Sequence, residues 1–325
     1  MAQTSRVSLP AKRRWPWQRL PEAGASMAAA PVISLDGTTI LIGGFPVVRT
    51  FARGAMGELH LATDPATRLP IALKTVRFHA GDLSRERFLR ESAAAARLQH
   101  PHIVSTYAAG IDGTGASLCG WIAMEWVSGS DLSRYASPPR LLPEPLLLEI
   151  GASIAEGLFH AHGQGVIHRD IKPSNILLNL AAGTVKITDF GCAHLSDGER
   201  SRSGLLIGTP VYMAPEQLAG QAVDGRTDLY ALGVLLFQLL TGRLPFDYPS
   251  MGPMLAAIAN EPPPDLLVLR PDLPRPLDEL LQALMAKNPD QRPADGQQVA
   301  ALLRQLATNF YASSPRSATG QADNT

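Results

Sequence analysis

Apolar and polar residues first follow short alternating runs that are typical of β-strands. Three such runs occupy residues 45–48, 58–62 and 71–76, and turns that contain Gly or Pro separate them. Strands of this kind pair with one another to bury their apolar faces. The first part of the chain is therefore predicted to form a small lobe rich in β-structure.

From about residue 141 onward, the apolar residues adopt helical spacing instead. The first predicted helix ends near Gly163. The apolar residues that share one of its faces are Leu147, Ile150, Ile154, Leu158 and Ala161. Further helices are predicted at residues 230–240, 277–285 and 299–306. The pattern therefore predicts an α+β fold, in which a small β-rich lobe precedes a larger, mainly helical lobe.

The two ends of the chain differ in composition from the part between them. A basic and aromatic segment occupies residues 12–19, and prolines at positions 10, 16, 21 and 31 prevent a continuous helix, so we predict that residues 1–43 are a disordered leader. The alternative is a segment on a membrane surface, with tryptophans among headgroups and arginines against anionic lipid. Residues 309–325 are predicted to be a disordered tail. Between the ends, we place the small lobe and its connection at residues 44–127 and the larger lobe at residues 128–308.

Composition narrows the classes of function. The 325 residues carry a formal net charge of zero, so there is no electrostatic argument for nucleic-acid binding. The two cysteines, Cys119 and Cys192, form neither a disulfide framework nor a metal-binding pattern, which fits a reducing compartment. The longest apolar runs are too short to span a bilayer, and no secretory leader is recognisable. We expect a soluble, cytoplasmic protein.

Three oxygen-bearing side chains are expected at one place. Asp170 and Asn175 lie five residues apart in a segment that a proline keeps from continuing as a helix. Asp189 follows a predicted hairpin, whose strands are residues 176–178 and 185–187. This geometry brings the three side chains together at one opening, which we call the mouth.

Two carboxylates and an amide are ligands that suit Mg²⁺, which shares its remaining coordination positions with water and substrate phosphates. Lys172 adds a positive charge to the same loop. The arrangement predicts phosphoryl transfer.

The predicted small lobe contributes three further candidates. Gly54 and Gly57 lie between two strand-like runs, where backbone N–H groups could approach a phosphate, or where they simply form a hairpin turn. Lys74 ends an apolar strand and needs an anionic partner. Glu91 is the candidate because it lies on the otherwise apolar stripe of a helix predicted over residues 87–98. The alternative places Glu91 at the solvent edge, among its neighbouring arginines.

Together, these motifs resemble the catalytic domain of protein kinases, and most closely the eukaryotic-like serine/threonine kinases of bacteria. The resemblance covers about residues 45–308. The signature elements occur in the family's order: a Gly-rich loop at 52–57, Ala72-Leu73-Lys74, Glu91, His168-Arg169-Asp170 with Asn175, Asp189-Phe190-Gly191, and Ala214-Pro215-Glu216. The resemblance implies a bilobal protein-kinase fold that uses ATP with Mg²⁺, or with Mn²⁺ in its place.

The resemblance also implies a role for each matching residue near the phosphates. Lys74 would hold the α- and β-phosphates and pair with Glu91, and Asn175 and Asp189 would bind the metal ion. Asp170 would orient the substrate hydroxyl and accept its proton.

Two matches point to serine and threonine as acceptors. Lys172, two residues after Asp170, is typical of the serine/threonine class, and it would stabilise charge near the γ-phosphate. The segment Gly208-Thr209-Pro210 is also typical of this class. Thr209 would hydrogen-bond both Asp170 and Lys172.

Matching positions also outline a nucleotide pocket. The residues that would contact adenine, ribose or phosphate are Ala52, Gly54, Gly57, Leu59, Ala72, Met124, Glu125, Val127, Asp131 and Leu177. Among them, Met124 matches the gatekeeper, Glu125 and Val127 match the hinge, and Asp131 matches the ribose contact. Ordinary core packing is the alternative for the apolar members, and both can hold.

Other matches imply scaffolding and regulation. Asp228 would brace the catalytic loop, and Arg292 would pair with Glu216. Arg169 would dock a phosphate on the activation segment. Our hypothesis is autophosphorylation at Ser201 or Ser203, and the alternative is a serine-rich loop that needs no phosphate.

One departure from the family pattern favours a rival. Ala52 stands where the family usually has the first glycine of its loop, which predicts a stiffer loop and weaker ATP binding. The rival is a pseudokinase that binds nucleotide without efficient transfer; a small-molecule phosphotransferase is a third interpretation. The expected partners are protein substrates and, by resemblance, a second copy bound through the small lobe.

Overall fold

The structure is a computed structural model. It describes residues 39–54, 57–78, 84–113, 118–190 and 210–313.

The small lobe is built on one antiparallel sheet. Its strands are β1 (Leu41–Ile42), β2 (Phe45–Gly54), β3 (Gly57–Thr63), β4 (Pro70–Arg77), β5 (Thr106–Asp112) and β6 (Cys119–Glu125). They are ordered β1-β2-β3-β4-β6-β5. The three strand-like runs of the sequence therefore lie in β2, β3 and β4, as predicted.

One helix, α1 (Ser84–Ala95), packs against this sheet. Phe88 and Ala95 of its predicted apolar stripe are at most 4% exposed, whereas Leu98, which is equally buried, lies beyond the end of the helix at Ala95. The Phe88 ring meets the Phe78 ring edge-on at 5.5 Å. Glu91, which lies on the same stripe, is half-buried.

The larger lobe is mainly helical in the described ranges. Its helices are α2 (Glu144–Gly163), α3 (Pro215–Leu218), α4 (Gly225–Thr241), α5 (Met251–Asn260), α6 (Leu266–Leu269), α7 (Arg275–Leu284) and α8 (Gly296–Ser313). The apolar face predicted for α2 is fully buried. Burial of one such leucine contributes about 1.5–3 kcal/mol. Within these ranges, no helix has both the length and the apolar character that crossing a membrane requires.

A second sheet lies beside α2 and consists of β7 (Ser130–Asp131), β8 (Ile176–Asn179) and β9 (Thr184–Ile187). β8 and β9 form the predicted hairpin, in which Leu178 pairs with Val185. The segment before β8 departs from expectation, since Pro173–Asn175 is one turn of 3₁₀-helix. The Asn175 N–H donates to the Lys172 carbonyl at 3.0 Å and the Ile176 N–H donates to the Pro173 carbonyl, and these bonds close the turn.

Two predicted boundaries are wrong. Strand β1 lies inside the predicted leader, where it pairs with the start of β2 through Leu41 and Pro46. Helix α8 continues to Ser313, past the predicted start of the tail at residue 309. The first extension is a local hairpin across Gly43-Gly44, and the second depends on packing against the distant helix α2, which local composition does not report.

A cluster of histidines joins the loop after α1 to the larger lobe. The His100 ring stacks on His160 of α2 at 5.1 Å and lies 5.5 Å from the His102 ring. His102 Nδ1 bonds to the Val185 carbonyl at 3.0 Å, and its Nε2 lies 3.7 Å from Glu156. Burial, with help from the other two histidines, lowers the pKa of His100 to about 4.

This cluster predicts a loss of stability in mild acid. Between pH 6.5 and 4 the unfolded chain protonates His100 and the folded chain does not, so stability falls as pH falls through that window. The loss between pH 7 and pH 5 amounts to at most about 2 kcal/mol. We expect His100→Asn, which keeps an acceptor for the His102 N–H, to flatten this dependence in urea unfolding. If the free energy of unfolding depends on pH equally in the variant and the wild type, His100 is not the group responsible.

Candidate functional site

The loop 168–175 gathers the first three candidate residues. Lys172 Nζ lies 2.7 Å from Asp170 Oδ2, and both side chains are more than a third exposed. Asn175 Nδ2 donates to the Asp170 carbonyl at 2.8 Å and to Asp170 Oδ2 at 3.1 Å. A carboxylate is thus held at the surface of the loop by an ammonium and an amide.

Asp228 on α4 anchors this loop from below. Its Oδ1 accepts from the Arg169 N–H at 2.7 Å, and its Oδ2 accepts from the His168 N–H at 2.8 Å. The same Oδ2 bonds His162 Nε2 at 2.8 Å. Asp228 is fully buried, and its contacts confirm the expectation that it braces the loop backbone. His162 was not predicted as a site residue, because only folding brings it next to Asp228.

Asp189 pairs with Lys74, whose Nζ lies 2.8 Å from Asp189 Oδ1. Desolvation alone would raise the pKa of Asp189, but the Lys74 ammonium outweighs it, with help from His168 and Lys172, and the pKa is lowered. Asp189 is therefore a carboxylate at neutral pH. Its backbone has φ of +69°, a conformation that non-glycine residues adopt at a cost and mostly at functional sites.

Two hydrogen bonds join the Asp189 segment to the loop of Asp170. Thr188 donates its N–H to the Asn175 carbonyl at 2.9 Å, and its own carbonyl bonds His168 Nε2 at 2.8 Å. Phe190 is buried, and its ring meets the His168 ring edge-on at 4.7 Å. The two loops consequently form one rigid mouth, as the sequence predicts.

The donor set fits a hard cation. Because Asn175 Nδ2 donates to Asp170, the amide oxygen is the atom that remains for a metal ion, and Asp189 supplies a carboxylate. In the described ranges, no three His, Cys, Asp or Glu side chains form a group that could hold a metal. Asn175 and Asp189 would therefore share the ion with phosphate oxygens, the arrangement that Mg²⁺ favours.

Glu91 lies on α1, on the stripe that faces the sheet containing Lys74. Lys74 contacts Asp189, and its pairing with Glu91 stays a prediction.

The glycine loop is the hairpin between β2 and β3. Gly54 pairs with Gly57, and Ala52 pairs with Leu59. Gly57 has φ of +152°, and a Cβ there would lie 1.8 Å from the Thr75 carbonyl oxygen, so only glycine fits. Ala52 is an ordinary, exposed strand residue, so this turn does not need a glycine at that position.

Three apolar candidates are less buried than their strand neighbours. Leu59, Ala72 and Leu177 are only half-buried, whereas neighbours such as Leu73 and Leu178 are buried. Alternate residues of a strand face opposite sides, so the half-buried residues face away from the core side of their strands. Met124 pairs with Ala72 across the sheet and is 6% exposed. It also borders a small cavity with Asp189 and Phe190.

The segment after β6 joins the lobes. Glu125 receives Lys186 of β9 at 2.9 Å, and its Oε2 accepts from the Ser105 N–H at 3.2 Å. Val127 follows and is half-buried. Asp131 pairs with Leu177 and caps the next helical turn by accepting from the Ser133 N–H at 2.9 Å. The Glu125 ion pair was missed, because Lys186 is distant in sequence.

An aromatic stack links the glycine loop to this segment. The rings of Phe51 and Trp126 stack at 5.1 Å with an angle of 24° between their planes. The Arg49 guanidinium lies 4.1 Å from the Phe51 ring centroid. Phe51 was not among the predicted site residues, although the sequence shows an aromatic residue beside the glycine loop.

A buried ion pair supports the segment 210–218 below the mouth. Arg292 donates to both carboxylate oxygens of Glu216, at 2.7 and 2.8 Å, and Thr227 donates to Glu216 at 2.8 Å. The Arg292 side chain is fully buried. The predicted pairing of Glu216 with Arg292 is confirmed.

Several candidate residues lie outside the described ranges. They are Thr209, Ser201 and Ser203, together with Gly191 and Cys192. The predicted bonds of Thr209, the regulatory phosphates and their docking on Arg169 stay predictions. Arg169 itself is described, and its backbone has φ of +66°.

Known proteins share both the sequence and the fold. Residues 45–305 match the sequence profile of the protein kinase domain. The serine/threonine-protein kinase Pkn1 of Myxococcus xanthus is 35% identical over 274 residues, which are 82% of this chain and 39% of that protein. The serine/threonine-protein kinase PknJ of Mycobacterium tuberculosis is 39% identical over 262 residues, which are 77% of this chain and 43% of that protein.

A solved structure gives the same result for the fold. The crystal structure of the Mycobacterium tuberculosis PknI kinase domain matches with a TM-score of 0.65 and 32% identity, over 82% of this chain and 98% of that chain. The chain spans between 39% and 49% of the length of the first curated relatives that it matches.

Proposed function

Because the chain belongs to the protein kinase family, and within it to the serine/threonine protein kinases, we propose that it transfers the γ-phosphoryl group of ATP to protein hydroxyls. The observation that carries the proposal is the mouth itself. Asp170, Lys172 and Asn175 are hydrogen-bonded to one another, and the bonds of Thr188 join them to the Asp189–Lys74 pair.

The mouth suits transfer to a hydroxyl. Asp170 is partly exposed, so an incoming serine or threonine can reach its carboxylate, which would orient the hydroxyl and accept its proton. Lys172 and Lys74 provide two positive charges around the phosphates, and both are already held by carboxylates. In-line transfer of this kind needs positioning and charge stabilisation more than covalent chemistry.

Asn175 and Asp189 would hold the metal ion. When bound, Mg²⁺ would supply positive charge that neutralises the phosphates during transfer. With ATP bound, Lys74 would contact the α- and β-phosphates, and Glu91 would hold its ammonium.

The acceptor class also rests on Lys172. Its short contact with Asp170 fits the role that it has in serine/threonine kinases. The adenine would lie between Leu59, Ala72 and Leu177, beside the backbone of residues 125–127. The half-exposure of these three side chains supports such a pocket.

Incubation with γ-labelled ATP, Mg²⁺ and a generic protein acceptor tests the proposal. Acid hydrolysis of the labelled acceptor should release phosphoserine or phosphothreonine. If nucleotide binds with one-to-one stoichiometry but no protein is labelled, the pseudokinase interpretation replaces ours. If only small hydroxyl compounds are labelled, the chain is a small-molecule phosphotransferase.

We further propose that autophosphorylation at Ser201 or Ser203 activates the enzyme, with Arg169 as the residue that docks the phosphate. We expect mass spectrometry to find phosphate at one of these serines after incubation with Mg·ATP. The double variant Ser201→Ala with Ser203→Ala should then lose about tenfold in rate, because the charge-assisted bonds are absent. Ser313→Ala serves as the control. Full activity without phosphate at either serine would refute this regulation.

Contact with a second copy through the small lobe, contact of the basic leader with anionic membranes, and a cytoplasmic location stay predictions from the sequence.

A further inference from the structure

Gln217, directly after the Glu216 that pairs with Arg292, bridges two functional segments. Its Nε2 donates to the Arg169 carbonyl at 3.0 Å, and its Oε1 accepts from the Ala214 N–H at 3.1 Å. One amide side chain therefore uses its donor on the loop of Asp170 and its acceptor on the segment 210–218.

The Arg169 carbonyl belongs to the peptide group that precedes Asp170, and that peptide is held on both edges. Its N–H, the Asp170 N–H, donates to His168 Nδ1 at 3.2 Å, and its carbonyl receives Gln217. The preceding N–H, that of Arg169, is fixed by Asp228 at 2.7 Å.

Arg169 needs such restraint because its φ is +66°. A non-glycine residue in this left-handed region relaxes unless the surrounding bonds over-determine its backbone. Asp228 holds the N-terminal side of this residue, and Gln217 holds the C-terminal side. Loss of either would let the direction of the next side chain, that of Asp170, vary.

We propose that Gln217 is a positioning residue, which fixes the orientation of Asp170 and couples it to the segment 210–218, which the proposed function would place beneath an acceptor peptide. The inference rests on the proposed kinase function. The coupling depends on the bond between Gln217 Oε1 and the Ala214 N–H, because Ala214 is the N-cap of α3 and follows the turn Pro210–Tyr212.

The variant Gln217→Glu isolates the first bond. A glutamate has the same shape and still accepts from the Ala214 N–H, but it has no N–H for the Arg169 carbonyl and places negative charge against it. We expect kcat to fall about tenfold, which is the effect of one lost hydrogen bond in the transition state. The KM values for ATP and peptide should stay within about twofold of wild type.

The variant Gln217→Ala removes both bonds. We expect the same loss in kcat, together with a rise in the peptide KM, because the end of α3 loses its side-chain acceptor. Gln238→Glu is the matched control. Gln238 Oε1 accepts from the Tyr212 hydroxyl at 2.5 Å, a bond that glutamate keeps, and the same charge is added near the same segment.

Two further measurements separate positioning from damage to the fold. The stoichiometry of ATP binding by calorimetry gives the active fraction, and it should be unchanged in Gln217→Glu. Hydrogen exchange should become faster at the amides of residues 168–170 and remain unchanged elsewhere in the larger lobe.

The possible failures are distinguishable. An inactive wild-type chain defeats the proposed function itself. An active wild type with an unaltered kcat for Gln217→Glu defeats only the positioning role. A loss of kcat that the active fraction accounts for, or an equal loss in Gln238→Glu, also overturns it.

Discussion

The Asp170→Asn variant is expected to transfer phosphate about 10³-fold more slowly than the wild-type chain, inside the range that general base catalysis contributes. Asparagine has nearly the same shape as aspartate, so its side chain still lies beside Lys172 and Asn175. It carries no negative charge, however, and cannot accept the proton of the attacking hydroxyl. The rate is measured at saturating Mg·ATP with a serine peptide.

The binding of nucleotide provides the contrast. In the proposed arrangement Asp170 faces the acceptor hydroxyl, and Lys74 holds the α- and β-phosphates, so the Kd for Mg·ATP should change by no more than about threefold. Asp272→Asn is the control, because Asp272 is an exposed partner of Arg270. If Asp170→Asn retains the wild-type rate, Asp170 is not the catalytic carboxylate.

The Glu216→Leu variant is expected to lose about 3–5 kcal/mol of the free energy of unfolding, because it leaves the buried guanidinium of Arg292 without its carboxylate. Desolvation would raise the pKa of Glu216, but the bonds from Arg292 and Thr227 outweigh desolvation, so the pKa of Glu216 is lowered. The measurement is urea unfolding monitored by far-ultraviolet circular dichroism.

A double variant and a surface pair serve as controls. Glu216→Leu with Arg292→Met removes both charges and should recover part of the loss, since an apolar pair needs no compensation. The Arg226–Asp290 pair has the same 2.7 Å separation, but Asp290 is 79% exposed, so Asp290→Asn should cost less than about 1 kcal/mol. Equal costs for the buried and the exposed pair would contradict this account of the fold.

Local patterns in the sequence were enough for the elements that build the mouth. The buried Phe88 and Ala95 of α1, the hairpin of β8 and β9, and the contacts of Asp228 and Arg292 are all present as expected. In each case a short pattern or a family motif specifies both the element and the face that it presents.

Other features depend on residues that meet only in the folded chain. Gln217 reaches Arg169 across 48 positions, and Lys186 reaches Glu125 from a strand of the other sheet. Helix α8 extends because it packs along α2. None of these partners is marked by periodicity or composition, so sequence reasoning could not have paired them.

The contact of Lys74 with Asp189 shows the same limit within the site itself, because the sequence predicts only Glu91 as a partner of this ammonium. The pairing with Glu91 stays a prediction. In the structure, Asp189 lies 2.8 Å from Lys74. The left-handed backbone at Asp189, which directs its carboxylate, is not readable from residue types.

The central claim is that Asp189 and Lys74 form one phosphate-and-metal site with the loop of Asp170. Its most direct test is the initial rate of γ-phosphate transfer from ATP to a serine peptide, measured against Mg²⁺ concentration for wild type and Asp189→Asn. We predict a saturable, Mg²⁺-dependent rate for the wild type and a rate at least about 10²-fold lower for the variant at every concentration. Equal rates, or no transfer by the wild type, would contradict the claim.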